Sequence, residues 1–552
     1  MRDSIAGMLL DRRGDQRLGL RTRERDWTWD GVLAESAARG ALGREMLSQR
    51  PGRPPHIGVL LPNVPEFVFW LGGAALVGAT VVGINPTRGA AELAAEIRLA
   101  DCQLIITDNT GAARLSDLDT GLGTDRVLVV GTAAYDEMVA AHRAAPEVPA
   151  DIDADTLFLL LFTSGTTGTS KAVKCSQGRL ARIGYTAAEK FGHVADDVEY
   201  CCMPLFHGNA IMALWAPALA VGATVCLTPS FSASGFLDDV RYFDATFFTY
   251  VGKALGYLMA TPELPDDADN PLVRGFGTEA SPDDQAQFRR RFAAELFEGY
   301  GSSEGGGAVA LVPDAPQGAL GRPAHAGVAI VDPDTLKDCA PAVLDEHGRV
   351  LNADQAVGEI VDKFGTRTFE GYYNNDAANA ERIRNGWYWT GDLGYLDEAG
   401  FIYFAGRRGD WIRVDGENTS ALTIEHVLRR HPQVVAAGVY AVPDPRSGDQ
   451  VMAAIEVTDA DGFDVAEFAA YLAAQDDLGA KAVPRFLRVS ANLPVTGSNK
   501  VLKRELQQQC WRTEDPVYRW TGRGAPAYHR MGPAEKRSLE AEFAHYGRQR
   551  YA

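Results

Sequence analysis

The sequence predicts an α/β protein with a large N-terminal domain of layered sheets and helices, a β-barrel-like subdomain, and a small α+β C-terminal domain. Three observations predict this architecture. Strand-length apolar runs alternate with helical stretches from Trp29 to Phe297, which is typical of mostly parallel sheets covered on both faces. From about Gly318, short strands are separated by Gly-, Pro- and Asp-rich turns, as in a barrel. After Arg408 the chain changes to a compact α+β pattern.

The first unit is expected to alternate strands and helices. Short apolar runs bounded by turn residues predict strands, and longer Ala-rich runs predict helices. In chain order we expect a helix from Trp29 to Ser48, a strand at 56–61, a helix at 66–77, a strand at 80–84, a helix at 90–99, and strands at 103–107 and 128–130.

Residues 67–84 carry no charge and are long enough to cross a membrane as a helix. The alternative is a buried helix followed by a buried strand of a parallel sheet. The second interpretation is favoured because Pro65 precedes the stretch and four glycines interrupt it, at Gly72, Gly73, Gly78 and Gly83. We therefore expect no stable membrane insertion.

The stretch 157–174 joins a strand-length apolar run to a turn of small residues. Leu157 to Phe162 is followed by Thr163-Ser-Gly-Thr-Thr-Gly-Thr-Ser170 and then by Lys171. Hydroxyls donate to anionic oxygens, glycines let backbone N–H groups approach closely, and lysine adds positive charge, so the turn suits a polyphosphate. It is not a Walker A loop, because the pattern G-x-x-x-x-G-K-[ST] is absent. An ordinary Ser/Thr/Gly loop is the alternative.

The second unit repeats the alternation of strands and helices. A helix is expected to begin at Ser281, because a capping residue, a proline and two acids follow one another there. A second small-residue turn follows at 300–307. The other elements that we expect are strands at 199–203, 223–228, 245–251 and 295–297, and a helix capped by Ser232 that runs to Tyr242.

The C-terminal domain is expected to begin at the junction after Arg408. Gly409 is a hinge candidate because glycine tolerates large changes of φ and ψ. We place the domains at 1–408 and 409–552, the second including a polar tail from Trp511. Its expected elements are strands at 411–414, 434–441, 451–457 and 485–489, and helices at 421–430, 465–474 and 533–546.

Composition excludes some classes of partner. The net charge of −19 over 552 residues argues against nucleic acid, which needs basic surface, and against docking on anionic membranes. Seven scattered cysteines without C-x-x-C spacing predict reduced thiols in a cytoplasmic protein. The first 25 residues are rich in Arg and Asp and contain no apolar core typical of a signal peptide.

Four separated motifs resemble those of the adenylate-forming (ANL) superfamily, which contains acyl-CoA synthetases, peptide-synthetase adenylation domains and luciferases. They are Phe162-Thr-Ser-Gly-Thr-Thr-Gly-Thr-Ser-Lys171, Tyr300-Gly-Ser-Ser-Glu304, Thr390-Gly-Asp392 with Gly406-Arg407, and Pro494-Val-Thr-Gly-Ser-Asn-Lys500. Finer features resemble the very-long-chain acyl-CoA synthetase and fatty-acid transport protein branch. Among them are Gly222-Ala-Thr-Val-Cys-Leu-Thr228, Phe248-Thr-Tyr-Val-Gly252 and Asp515-Pro-Val-Tyr518.

The resemblance implies binding sites for ATP and Mg²⁺. Tyr300 is expected to stack on adenine and Asp392 to accept the ribose hydroxyls, while Glu304 and Thr163 hold Mg²⁺. Lys500, Glu304 and His207 are the expected catalytic residues. The residues implied for ATP or AMP are Thr163, Ser164, Gly165, Thr166, Thr167, Gly168, Lys171, Gly277, Glu279, Ala280, Ser281, Tyr300, Gly301, Ser302, Ser303, Asp392, Arg407 and Lys500.

The acyl and CoA sites are the next implied sites. Three glycines after Glu304 remove side chains where the substrate is expected, which predicts a roomy pocket. His207 is expected either to contact the carboxylate or gate the tunnel, or to be a packed core histidine. CoA is expected beside Gly416, Glu417 and Asn418 once the mobile C-terminal domain has rotated about Gly409. The expected acyl-pocket residues are His207, Tyr250, Gly252, Gly277, Gly305 and Gly306.

The implied function is an AMP-forming acyl-CoA synthetase that uses ATP, Mg²⁺ and coenzyme A. Its substrate is expected to be a long-chain fatty acid or a bulky polycyclic acid such as a terpenoid or steroid acid. The alternatives are a ligase that loads a carrier-protein thiol and a membrane-associated fatty-acid uptake protein. The expected partners are small molecules, with no nucleic acid, and a homodimer is left open.

Overall fold

A computed structural model describes residues 1–143, 152–164, 170–305, 309–312, 315–316, 318–345, 350–365, 369–407, 411–414, 417–446, 448–475, 478–479, 481–497, 499–522 and 525–551. Several predicted site residues lie outside these ranges. They are Gly165, Thr166, Thr167, Gly168, Gly306, Gly409 and Gly416. The predicted domain boundary at 408/409 also lies outside them.

The first sheet has the order β6-β5-β3-β4-β7-β8, and its strands are parallel except β8. Helices pack beside the parallel strands, as the alternating pattern predicts. The elements are α1 Ile5–Leu10, β1 Leu18–Arg21, β2 Asp26–Thr28, α2 Trp29–Ser48, β3 His56–Leu60, α3 Pro65–Val77, β4 Thr80–Gly83, α4 Ala90–Leu99, β5 Leu104–Thr107, α5 Asn109–Leu115, β6 Val127–Val129, α6 Ala133–Ala141, β7 Leu157–Ser164 and β8 Ser170–Ser176.

The uncharged stretch 67–84 is α3 followed by β4, both buried in the first unit. Gly73 of this stretch serves helix packing: a Cβ on it would lie 2.6 Å from the Ser36 carbonyl oxygen of α2, and a Cβ on Gly40 of α2 would lie 2.7 Å from the Gly73 carbonyl oxygen. Glycine therefore lets the two helix backbones touch. Within the described ranges, no helix has both the length and the apolarity needed to cross a bilayer.

The second sheet has the order β13-β12-β11-β9-β10-β1-β2, in which all strands run parallel except β2. The N-terminal segment contributes two strands, which the sequence analysis missed. The further elements are α7 Gln177–Phe191, β9 Val198–Cys201, α8 Gly208–Ala210, a π-helical turn Ile211–Trp215, α9 Ala216–Val221, β10 Thr224–Leu227, α10 Phe236–Phe243, β11 Phe247–Val251, α11 Gly252–Met259, β12 Arg274–Thr278, α12 Pro282–Phe292 and β13 Glu295–Glu298.

Two predicted helix starts have different outcomes. Ser281 caps α12 as predicted, because its hydroxyl accepts the Asp284 N–H at 3.1 Å. The start at Ser232 is wrong. Its hydroxyl accepts the Gly235 N–H at 3.1 Å within a turn, and α10 begins at Phe236.

The third unit is an antiparallel sheet of order β14-β15-β20-β19-β17-β16, with β18 paired to β19. This nearly closed, barrel-like sheet agrees with the prediction from its short strands and turns. Its elements are β14 Val309–Ala310, β15 Ala319–Pro323, β16 Val328–Val331, α13 Ala353–Ala356, β17 Gly358–Asp362, α14 Asp376–Arg382, β18 Ile383–Arg384, β19 Trp387–Leu396 and β20 Ile402–Arg407.

The C-terminal domain has a hairpin, β21-β22, and a sheet of order β23-β24-β25-β26-β27. The tail was predicted to be irregular before its helix, but it adds two strands to this sheet and buries Trp511, Trp520 and Phe543. The elements are β21 Trp411–Val414, β22 Glu417–Ser420, α15 Ala421–Arg429, β23 Val434–Pro443, β24 Asp449–Val457, α16 Val465–Ala473, β25 Phe486–Ser490, α17 Lys503–Gln509, β26 Val517–Arg519, β27 His529–Arg530 and α18 Pro533–His545.

Candidate active site

A cavity of about 1600 Å³ lies where the carboxyl ends of parallel strands from both large sheets meet the barrel-like sheet and the C-terminal domain. Ligands of open α/β sheets bind at this end of the strands. Most of the described residues with predicted site roles line it. They are Thr163, Lys171, His207, Tyr300, Gly301, Ser302, Ser303, Glu304, Gly305, Asp392, Arg407 and Lys500.

Glu304 presents a buried carboxylate to this cavity and is only 7% exposed. The hydroxyls of Thr163 and Tyr372 donate to its Oε1 at 3.4 and 3.1 Å, and Arg382 in turn donates to the Tyr372 oxygen at 3.0 Å. Among the described residues, Oε2 has no protein partner. The free carboxylate oxygen and the neighbouring Thr163 hydroxyl are both hard oxygen ligands. Mg²⁺ prefers such ligands and usually completes its coordination with phosphate and water, so these residues fit a Mg²⁺ site.

Lys171 approaches the same region from β8. Its side chain is almost completely buried, its Nζ lies 3.3 Å from Glu381 Oε2, and it lies 5.3 Å from the centre of the Tyr372 ring. A buried ammonium that faces a cavity is a point charge suited to phosphate.

Tyr300 and Asp392 form a second polar pair. The Tyr300 hydroxyl donates to Asp392 Oδ2 at 2.8 Å, and Arg407 Nε lies 3.6 Å from Oδ1. Burial raises the pKa of Asp392 above its ordinary value, although Arg407 and Tyr300 act in the opposite direction. Burial and the Asp392 charge also raise the pKa of Tyr300, so its hydroxyl keeps its proton.

Lys500 reaches the cavity from the C-terminal domain. It lies in a tight turn in which its carbonyl oxygen accepts the Thr496 N–H at 2.7 Å, and Asn499 has a φ of 60°. Its Nζ lies 2.7 Å from Glu279 Oε1. Burial opposes ionisation of Glu279, but the charge and hydrogen bond of Lys500 outweigh it and lower the pKa of Glu279. The lysine is therefore positioned in the cleft by a carboxylate of the N-terminal unit.

His207 lines the cavity rather than packing wholly within the core. Burial and the positive charge of Lys500 lower its pKa to about 4, so the ring is neutral near pH 7. Its Nδ1 accepts the Asn209 N–H at 3.4 Å at the start of α8, which assigns the remaining proton to Nε2. The ring can therefore donate a hydrogen bond to an anionic group.

Three predicted acyl-pocket residues, Tyr250, Gly252 and Gly277, do not line this cavity, and their contact with substrate stays a prediction. Tyr250 is 1% exposed, and its hydroxyl donates to Glu298 Oε1 at 2.6 Å. A Cβ on Gly277 would lie 2.4 Å from the Tyr250 ring, and one on Gly252 would lie 1.9 Å from the Glu279 carbonyl oxygen. These two glycines provide room for neighbouring protein atoms. The cavity is lined instead by Val251, Phe276 and Thr278 of the same strands.

One face of α7 also lines the cavity, and the sequence analysis missed it because it did not predict this helix. The residues recur at the spacing of one helix face, a signal that was present in the sequence. They are Arg179, Arg182, Ile183, Thr186, Ala187, Lys190 and Phe191.

For the remaining predicted residues, the structure gives only their position and burial. Ala280 and Ser281 are buried beside Glu279, and their contact with a nucleotide stays a prediction. Glu417 and Asn418 lie in β22, next to the undescribed Gly416, and their contact with CoA also stays a prediction. The backbone of Ser164 ends β7.

Comparison with known proteins identifies the family. The family model of AMP-binding enzymes matches residues 17–373, and that of their C-terminal domain matches residues 423–500. The chain is 70% identical to a steroid-22-oyl-CoA synthetase from Rhodococcus jostii (strain RHA1), over 100% of this chain and 99% of that protein. It is 46% identical to a medium/long-chain-fatty-acid–CoA ligase, FadD17, from Mycobacterium tuberculosis (strain ATCC 25618 / H37Rv), over 89% and 93% of the two chains.

Solved structures share the fold. The anthranilate CoA ligase AuaEII in complex with anthranoyl-AMP superposes with a TM-score of 0.78 at 20% identity, over 92% of this chain and 98% of that one. The o-succinylbenzoate CoA synthetase MenE from Bacillus subtilis gives a TM-score of 0.73 at 25% identity, over 91% and 97% of the two chains. The chain belongs to the AMP-binding enzyme family, and it is an acyl-CoA synthetase of the ANL superfamily.

Proposed function

We propose that this enzyme converts a steroid carboxylic acid to its CoA thioester through an acyl-adenylate. The observation that carries the proposal is the 70% identity, over the whole chain, to a protein named steroid-22-oyl-CoA synthetase. A cavity of about 1600 Å³ that extends along α7 has room for a bulky acid beside a nucleotide. The substrate carboxylate would lie near His207 and Lys500.

In the first half-reaction a carboxylate oxygen attacks the α-phosphorus of ATP, an O–P bond forms, and pyrophosphate leaves. The site must overcome the repulsion between two anions. Lys500 would do so as a cation placed where negative charge develops, and His207 would donate from Nε2 to a carboxylate oxygen. Lys171 would bind the outer phosphates, and Asp392 would accept the ribose hydroxyls.

Glu304 and Thr163 are the residues proposed to hold Mg²⁺. When bound, this ion neutralises part of the triphosphate charge. Tyr372 and Arg382 would orient the Glu304 carboxylate through the hydrogen bonds at Oε1 described above.

In the second half-reaction the CoA thiol attacks the acyl carbonyl carbon, a C–S bond forms, and AMP leaves. We propose that the C-terminal domain rotates about Gly409, which removes Lys500 from the cleft and brings in Gly416, Glu417 and Asn418. Rotation is needed because Lys500 occupies the cleft in this arrangement, where it pairs with Glu279.

A fatty acid is the second candidate substrate, and it is favoured by the 46% identity to the medium/long-chain-fatty-acid–CoA ligase. The scattered cysteines that predict a cytoplasmic location support an enzyme that draws on cytoplasmic ATP and CoA. The proposed reaction needs no second subunit, and a homodimer stays a prediction.

The test is ATP–pyrophosphate exchange with a panel of acids, followed by incubation with CoA. We expect exchange with steroid acids to exceed exchange with fatty acids of similar length, and AMP and thioester to appear in equal amounts. Exchange with fatty acids alone would contradict the steroid assignment. Adenylate formation without transfer to CoA would favour the carrier-protein alternative.

A further inference from the structure

The wall of the cavity formed by α7 is polar along one line. Arg182, Thr186 and Lys190 follow one another at four-residue spacing, so they lie on one face of the helix, and all three are exposed where the cavity opens. Ile183 and Ala187 lie beside them. The acyl cavity therefore combines an apolar surface with a line of hydrogen-bond donors.

Apolar side chains of neighbouring elements border the same cavity. Met212, Ala213, Val251 and Phe276 line it, and the rings of Phe191 and Phe276 pack with their centres 4.4 Å apart beside Lys190. A ligand in this part of the cavity meets both carbon and N–H or O–H groups. A uniformly apolar chain would leave those donors without a partner.

The donors on α7 are available to a ligand. Among the described residues, Arg182, Thr186 and Lys190 have no hydrogen-bond or ion-pair partner, and Lys190 has only a contact with the Phe191 ring, 5.7 Å from its centre. Partial burial lowers the pKa of Lys190 below its ordinary value, which reflects incomplete solvation of its ammonium. A hydrogen-bond acceptor at this point would replace some of the lost solvation.

Lys190 lies far from the carboxylate end of the cavity. Near the start of α7, Arg179 donates to the Ser303 carbonyl oxygen at 2.7 Å, which ties that end to the loop before Glu304. Eleven residues separate Arg179 from Lys190, or about 16 Å along the helix axis. An acid whose carboxylate lies beside His207 would place its opposite end near Lys190.

We propose that Lys190, assisted by Thr186, determines specificity by donating hydrogen bonds to an oxo or hydroxyl oxygen on the ring of a steroid acid farthest from its carboxylate. This inference rests on the proposed function. It explains how one cavity distinguishes an oxygenated polycyclic acid from a fatty acid, because a site built to hydrogen-bond a substrate oxygen rejects the analogue that lacks it.

The test compares two steroid-22-oic acids that differ only in an oxo group on the terminal ring. The variants are Lys190→Met, which keeps the length but removes the donor, Lys190→Arg, which retains a cationic donor, and Thr186→Val. The control is Lys337→Met on an exposed turn. The measurement is kcat/KM for ATP–pyrophosphate exchange, with a linear fatty acid as a third substrate.

We expect Lys190→Met to lose about 10- to 100-fold in kcat/KM with the oxo acid, mainly through KM, and to change little with the other two acids. Thr186→Val should lose less, and Lys190→Arg should recover most of the activity. Equal losses on all three acids, or no loss on the oxo acid, would overturn the inference. If the wild-type enzyme activates neither steroid acid, the proposed function itself fails, which is a distinct outcome.

Discussion

The pairing of Lys500 with Glu279 links the two domains through a single residue on each side. Glu279 has a φ of 71°, a conformation that side-chain-bearing residues rarely adopt, and the absence of a Cβ on Gly252 allows its carbonyl oxygen to fit. The carboxylate keeps the ammonium in the cleft before substrates arrive. In the proposed reaction, anionic substrates would compete with Glu279 for the charge of Lys500.

Replacing Lys500 by alanine tests the proposed catalytic role. We expect adenylate formation to fall by about 10²- to 10³-fold, because a cation is lost where charge develops. Thioester formation from supplied acyl-adenylate should be spared, since that step follows removal of the lysine. Stopped-flow assays of the two half-reactions measure both. The control is Lys503→Ala, which removes an ion pair with Glu425 at 2.7 Å inside the C-terminal domain. Equal loss in both half-reactions would refute the role.

Replacing Glu304 by glutamine tests the proposed metal site. The amide keeps the size of the side chain but loses the charge that attracts a hard cation. We expect the Mg²⁺ concentration for half-maximal pyrophosphate exchange to rise by about tenfold or more. A Mg²⁺ titration measures this, with Glu381→Gln as the control on the Lys171 side of the cavity. An unchanged titration curve would remove Glu304 from the metal site.

At the scale of elements, the carboxyl ends of β11, β12 and β13 set the geometry around Glu279. Glu298 at the end of β13 accepts hydrogen bonds from the Tyr250 hydroxyl and from the backbone N–H groups of Glu279 and Ala280. Burial raises the pKa of Glu298 to about 8, although these hydrogen bonds act in the opposite direction. A largely protonated carboxyl therefore supports the segment that positions Lys500.

The raised pKa of Glu298 predicts a pH-dependent stability. The ordinary pKa of this carboxyl is 4.5, so between that pH and about pH 8 the folded protein retains a proton that the unfolded chain releases. Because the unfolded chain binds fewer protons in this range, the free energy of unfolding falls as pH rises. Glu298→Gln cannot ionise and should gain stability relative to wild type between pH 5 and pH 9, by on the order of a few kcal/mol. Urea unfolding across this range is the measurement.

The matched control is Glu295→Gln in the same strand, whose side chain is 56% exposed and pairs with Arg289 at the surface. If the difference in unfolding free energy between Glu298→Gln and the wild type stays constant with pH, the raised pKa of Glu298 is contradicted.

At the scale of the whole molecule, buried charges join the two domains on the side of α11 and α12. Lys253 Nζ lies 2.9 Å from Glu456 Oε2, with both side chains at most 5% exposed, and Asp284 forms an ion pair with Arg429. Glu456 also accepts the Leu493 N–H at 2.8 Å. Each pair joins one domain to the other, so the proposed rotation of the C-terminal domain would break both.

Lys253→Met should therefore shift the balance between domain arrangements. Removing one partner leaves Glu456 as an uncompensated buried charge, which destabilises the present arrangement. We expect adenylate formation to slow by about tenfold or more, with thioester formation from supplied acyl-adenylate unchanged or faster. Förster resonance energy transfer between labels on the two domains should show a wider distribution of distances in Lys253→Met than in the wild type. The control is Arg290→Ala, which removes an exposed pair with Glu263. If the ratio of the rates of adenylate and thioester formation is unchanged, Lys253 does not influence the balance between the domain arrangements.

The sequence by itself determined the fold class, the family and part of the polar lining of the cavity. Local patterns carry this information: apolar runs separated by turns define the parallel strands, and hydroxyl, glycine and lysine at set positions indicate a phosphate site. Thr163 and Lys171 share one motif, while Glu304, Asp392 and Lys500 belong to three others far along the chain, and each motif can be read locally.

Only the tertiary structure decided which residues of these strands line the cavity. All five residues of β11 are buried, so no alternation of polar and apolar residues indicates that Val251, and not Tyr250, faces the cavity. The line of donors on α7 and the pairing of Glu279 with Lys500 depend on which surfaces meet after folding. A side chain's chemistry is local, whereas its direction and its neighbours are set by packing between distant segments.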